Sequence, residues 1–178
     1  MPLKYQVPDD KKVRVIVDSD AACEADDPFA IAHALLCDKF IVKAVFAEHF
    51  NCEGSTKQCF EEIQKVVKAM KKEVPVLMGE IGKLSEKGTG EISEASSFLI
   101  REALREDDKP LYVLCIGAIT NIASAIQMCP DIVPRMTVVW IGGQSHEHST
   151  GEVREFNAGN DIEAANLVLG SGVRFWQI

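Results

Sequence analysis

The sequence predicts an α/β fold: an open, mostly parallel sheet of about six strands with helices on both faces. Three observations carry this. Apolar runs of strand length alternate with helix-length periodic segments along the chain, the pattern of consecutive βαβ units. Polar and acidic residues gather just after the strands, where open α/β sheets bind ligands. The 178 residues are 47% hydrophobic and 26% charged, an ordinary globular composition able to form one sizeable core.

Residues 13–17, Val-Arg-Val-Ile-Val, form the first strand. Asp27-Pro28 then opens a helix through Cys37, with proline at the favoured first position. That helix is apolar almost all round and is expected to be buried, with His33 a core histidine. Residues 40–46 are the second strand. Ser55-Thr56-Lys57-Gln58 has the form of a capping box. The helix it opens places Cys59, Phe60, Ile63, Val66, Val67 and Met70 on one face and leaves the basic stretch 65–72 solvated. Residues 74–78 are the third strand, and a loop covers 79–90. A helix over 93–105, a strand over 111–116 and a helix over 119–129 come next, the last with Ile119, Ile122, Ala123 and Ile126 inward. Residues 136–141 form the fifth strand, and a long polar loop runs over 142–159. Asp161 caps a helix to about residue 169. Residues 173–176 read as a buried final strand, with Trp140 and Trp176 in the core.

Bulk properties exclude several functions. There are 19 Lys+Arg against 27 Asp+Glu, a formal net charge of −8, which argues against a nucleic-acid partner. The uncharged stretch 112–130 is interrupted by Gly117, Thr120, Asn121, Ser124 and Gln127, so no membrane partner is expected, and no hydrophobic signal precedes the first strand. The six cysteines form no C-x-x-C pair; buried free thiols in a reducing, cytoplasmic compartment are expected. No phosphate loop, dinucleotide glycine fingerprint or G-x-S-x-G elbow occurs.

The residues just past the end of each strand are more informative. After the first come Asp18, Asp20, Glu24, Asp26 and Asp27; after the second, Glu48, His49 and Asn51. After the fourth come Thr120 and Asn121; after the fifth, Gly142, Gly143, His146, His148, Glu155 and Asn157. Topology would gather all of these on one rim. Helix capping accounts for one or two of the five clustered carboxylates, and a hard cation such as Ca²⁺ or Mg²⁺ accounts for the rest. Asp18 is read equally as a structural hydrogen-bonding group or a metal contact. Asn121 is expected to cap its helix. His146 and His148 are read as solvated loop residues.

The chain resembles the inosine-uridine-preferring nucleoside hydrolase family. Val15-Ile16-Val17-Asp18-Ser19-Asp20 with Asp26-Asp27 beyond it is similar to that family's N-terminal signature. Three further stretches agree in order: Gly117-Ala118-Ile119-Thr120-Asn121-Ile122-Ala123, the strand ending in Gly142-Gly143, and Glu155-Phe156-Asn157 with Asp161-Ile162-Glu163-Ala164-Ala165. The resemblance implies a Rossmann-like core and calcium-dependent hydrolysis of the N-glycosidic bond of a ribonucleoside or related glycoside. It makes Asp20 a calcium ligand and the general base toward a metal-bound water. It makes Asp27 and the Thr120 carbonyl calcium ligands, and Asp26, Glu155 and Asn157 ribose ligands, with Asn51 a candidate for a further ribose contact; His49, from its place on the rim, is read as a further substrate contact. A small-molecule ribonucleoside or related sugar is the implied partner, within a homo-oligomer. Three departures stand out. Five residues rather than three separate Asp20 from Asp26, adding Glu24. The family's Gly-Asn after the second strand is replaced by Glu48-His49-Phe50-Asn51. The family also continues beyond this chain's end, so residues 1–178 are expected to be the N-terminal part of a larger domain. Two other readings compete: a non-catalytic relative that binds a sugar, nucleoside or partner chain, and a haloacid-dehalogenase-like phosphatase using Asp18 as nucleophile.

Overall fold

A computed structural model describes residues 6–86, 92–144 and 155–178. The strands are β1 (Val13–Ser19), β2 (Phe40–Ala47), β3 (Val76–Met78), β4 (Leu111–Cys115), β5 (Met136–Trp140) and β6 (Arg174–Gln177). They form one sheet in the order β3-β2-β1-β4-β5-β6, every neighbouring pair parallel. This is the Rossmann order, and the chain reverses its winding direction between β1 and β4. The expected α/β sheet is therefore present, strand for strand.

The helices are α1 (Asp26–Leu36), α2 (Ser55–Ala69), α3 (Glu94–Leu104), α4 (Thr120–Met128), the short α5 (Phe156–Asn160) and α6 (Ile162–Gly170). Because strand side chains alternate between faces, β1 sends Val15 and Val17 into one core and Ile16 into the other. The first core joins them to Ile31 and Leu35 of α1 and Ile63 and Val67 of α2. The second joins Ile16 and Phe46 to Leu99, Ile122, Trp140 and Val168 beneath α3, α4 and α6. Phe46 meets Phe98 edge-on at 6.0 Å. Full burial of side chains of this size stabilises the fold by about 1.5–3 kcal/mol each.

Several local expectations are corrected. Helix α1 is not buried all round: Phe29 and Leu36 are 75% and 61% exposed, and His33 is exposed rather than a core histidine. The helix rests on the sheet and α2 by the stripe Asp27, Ile31, Ala34 and Leu35, and its apolar outer face is not covered by any described residue. The capping box at Ser55 is not formed. Gly54, at φ 74°, is the N-cap of α2 and Ser55 lies inside the first turn; a left-handed residue there favours glycine. The Ser55 hydroxyl instead accepts from the Phe50 N–H. β6 is an exposed edge rather than a buried strand, and Trp176 is half-exposed, tilted against Tyr112. Cys59 and Cys115 are buried as expected; Cys52 is exposed and the other three are half-buried, all six as free thiols.

Candidate active site

The carboxyl end of β1 lies at the point where the winding reverses, and here the strand delivers its acids. Asp18 and Ser19 are its last two residues and Asp20 comes directly after; all three are buried. Asp27, in the first turn of α1, is 5% exposed and accepts from the Ser19 hydroxyl at 2.6 Å. The loop after β4 closes from the other side. A Cβ on Gly117 would stand 2.7 Å from Asp20 Oδ1, so only glycine lets that loop pass over the carboxylate. Asp20, Glu24, Asp26, Asp27, Glu155 and Asn157 line one cavity of about 250 Å³, with Ala30, Ile116, Ile141 and Phe156 supplying its apolar wall.

Crowding shows in the acids' proton affinity. Burial, then the charge of Asp27, pushes the Asp20 carboxyl up to about 7. Burial raises Asp27 to about 6, opposed by its bond from Ser19. Two oxygen-donor acids held this close, with the paired positive charge left out, are a donor set that suits a hard cation. Among the described residues no three His, Cys, Asp or Glu side chains converge in cation-ligating geometry, so side-chain carboxylates supply only part of a coordination sphere here.

A second layer of polar groups lies beneath the rim. Asp18 and Glu48 are both fully buried. Asp18 Oδ1 accepts from Asn121 Nδ2 at 2.8 Å, and among the described residues no N–H donor reaches its Oδ2. Burial holds Asp18 up at about 8, opposed by its bonds with Asn121 and Glu48 and raised by the charge of Asp20; burial and then the charge of Asp18 hold Glu48 well above the usual carboxylate range. Glu48 Oε2 accepts the Asn121 N–H and Oε1 the His49 N–H. Asn121 therefore does not cap α4. Its side chain ties β1, β2 and the end of β3 together, accepting from the Glu80 N–H and donating to Asp18 and the Ala47 carbonyl. Asp161 does cap α6, through the Ala164 N–H, and also accepts from Leu84 N–H and the Thr120 hydroxyl. Sealed below the rim, Asp18 is not placed as the nucleophile that a phosphatase would need.

The structure thus brings Asp20, Asp26, Asp27, Glu155 and Asn157 to one cavity. Thr120 is buried at the first position of α4. Asn51, at φ 58°, lines a separate, larger cavity of about 1110 Å³ with Met78 and Glu80. His49 is not on the rim: it is fully buried and lines neither cavity. Glu155 lines the cavity, but its carboxylate accepts from three backbone N–H groups, those of Gly143, Asn157 and Ala158. Asn157 Nδ2 donates to the Ile141 carbonyl. His146 and His148 lie outside the described residues. Sequence reasoning placed Glu48 and Asn121 on the rim and missed the buried polar layer they carry beneath it. The available signal was Glu48, an acid directly after an apolar strand.

Comparison with known proteins supports the fold and the family resemblance. The profile of the inosine-uridine preferring nucleoside hydrolases matches residues 15–177. The non-specific ribonucleoside hydrolase RihC of Escherichia fergusonii is 37% identical over 82 residues, 45% of this chain and 27% of that protein. An inosine-guanosine nucleoside hydrolase superposes with TM-score 0.75 at 23% identity, covering 93% of this chain and 59% of that one. The inosine-uridine preferring nucleoside hydrolase of Bacillus anthracis does so with TM-score 0.73 at 17% identity, covering 94% and 64%. At those identities the superpositions speak for the fold alone. The chain spans under two thirds of the length of each of these proteins.

Proposed function

The chain belongs to the inosine-uridine preferring nucleoside hydrolase family, and from that premise we propose that it hydrolyses the N-glycosidic bond of a ribonucleoside or related glycoside. The observation that carries the reading is the single cavity lined by Asp20, Asp26, Asp27, Glu155 and Asn157 at the winding reversal of the sheet. Bound Ca²⁺, held by Asp20, Asp27 and the Thr120 carbonyl, would neutralise the crowded acids and acidify a water. Asp26 and Asn157 would hold the ribose hydroxyls and fix the sugar against the attacking water. Asp20 takes the water's proton as the oxygen–C1′ bond forms; the C1′–nitrogen bond breaks and its electron pair leaves with the base. Glu155 acts in this reading chiefly by holding the loop after β5 against α5. A homo-oligomer in a reducing compartment completes the picture; among the described residues no helix is long and apolar enough to cross a membrane.

One observation favours a second reading, sugar or nucleoside binding without turnover: the Glu155 carboxylate is already committed to three backbone donors. The test is release of free ribose from a panel of nucleosides, with calcium and with EDTA. Calcium-dependent release establishes the hydrolase. Calorimetric nucleoside binding with no release establishes the binder.

A further inference from the structure

The loop after β2 departs from the family pattern at Glu48-His49, and the histidine found there is more ordered by hydrogen bonds than any surface role would require. Its ring is fully buried. Nδ1 lies 3.1 Å from the Asn51 N–H, which can only donate. Nε2 lies 2.8 Å from Thr120 Oγ1. The Thr120 hydroxyl spends its own proton on Asp161 Oδ2 at 2.8 Å, so toward the histidine it accepts. The Glu48 carboxylate also lies 3.7 Å from Nε2, and these contacts agree on one set of directions: Asn51 N–H to Nδ1, Nε2–H to Thr120 Oγ1 on the side of Glu48, Thr120 O–H to Asp161. A proton on Nδ1 would set two donors against each other.

We infer that His49 is a positioning residue, a neutral imidazole protonated on Nε2 that ties the Asn51 loop to the start of α4 and, through Thr120, to the cap of α6. It touches neither cavity, so it acts through the residues at its two ends. On the Nε2 side it holds Thr120, whose carbonyl the proposed function assigns to calcium. On the Nδ1 side it holds Asn51 in its left-handed conformation at the mouth of the larger cavity. The two sides are separable, because glutamine can place an amide N–H near the Nε2 position and asparagine an acceptor near Nδ1. Groups that orient metal ligands in this way change metal affinity by about 10- to 100-fold when removed.

The inference rests in part on the proposed function, and the experiment keeps the two apart. Nitrogen-15 spectra of the histidine-labelled full chain are expected to show His49 as the Nε2–H tautomer; a proton on Nδ1, alone or together with Nε2, overturns the inference whatever the activity. Calcium titration calorimetry and nucleoside kinetics are then run on the parent, H49Q and H49N. H49N, lacking the donor to Thr120, is expected to weaken calcium binding about tenfold or more. H49Q is expected to hold calcium affinity within about twofold while raising KM for nucleoside several-fold. Equal losses in both variants indicate general disruption and overturn the division of labour. A parent chain that binds no calcium overturns the proposed function, and the tautomer then decides the inference. Should H49N not fold, H49Q carries the test: lost calcium affinity there also overturns it.

Discussion

The two ends of the sheet treat buried charge in opposite ways. At the amino end, Arg14 of β1 is 4% exposed and donates to the carboxylate and carbonyl of Glu102 and to the Lys109 carbonyl. Lys43 and Arg105 approach the same carboxylate within 3.9 Å. Arg14 and Glu102, the buried charges there, have their counter-charges built into the chain. At the carboxyl end, Asp18, Asp20, Asp27 and Glu48 lie together and burial pushes each toward its protonated form, with no lysine or arginine among the described residues opposing it. One end is arranged for folding. The other gathers acids with no such partner among the described residues.

The contrast can be broken at either end. The largest effect is expected at Asp20→Asn: ribose release falls by about 10²- to 10⁴-fold, the range for a lost general base. The metal-free melting temperature should hold or rise, since a crowded charge is gone. A melting temperature that falls as steeply as the turnover would show that Asp20 serves folding instead. Arg14→Ala comes next, destabilising by about 3 kcal/mol because Glu102 is left buried beside only partial substitutes. Urea denaturation measures it, and calcium binding by the folded fraction should be unchanged.

A third prediction concerns pH. Asp20 and Asp27 have folded values of about 7 and about 6 against an ordinary value of 3.8. The folded state therefore binds more protons than the unfolded chain between these limits. Stability from these groups is fully present below about pH 4 and is lost as pH rises toward 7. Thermal melts in EDTA should fall across that window, and calcium should flatten the curve. A metal-free protein whose stability climbs from pH 5 to 8 would contradict the electrostatic reading. The smallest effect is expected at Asp9→Ala, which removes the exposed Asp9–Lys109 pair at the outer margin of the amino end. Exposed ion pairs are screened by solvent, so no shift of the melting transition should be resolvable.

Much of this was legible in the residues. All six strands are short apolar runs between turn signals, and the helices between them fit the parallel pairing of the sheet. The first-strand acids and the Glu155–Asn157 stretch can be singled out without sight of the cavity they share. Other assignments needed three dimensions. His49 and Asn121 are polar residues beside apolar ones, and sequence alone does not show that each is sealed under the rim with partners from other strands. Helix α1 is apolar on faces that no described element covers. At Ser55 the capping pattern was present, but Gly54 could adopt a positive φ at lower cost and displaced it.

The starts of the helices carry a last consequence. Asp26 and Asp27 occupy the first turn of α1, Glu48 accepts the Asn121 N–H of α4, and Glu155 and Asp161 cap α5 and α6. The positive ends of four helix dipoles, which elsewhere attract anions, are here already answered by the protein's own carboxylates. A phosphorylated ligand arriving at this rim would meet a repulsive field and donors already in use.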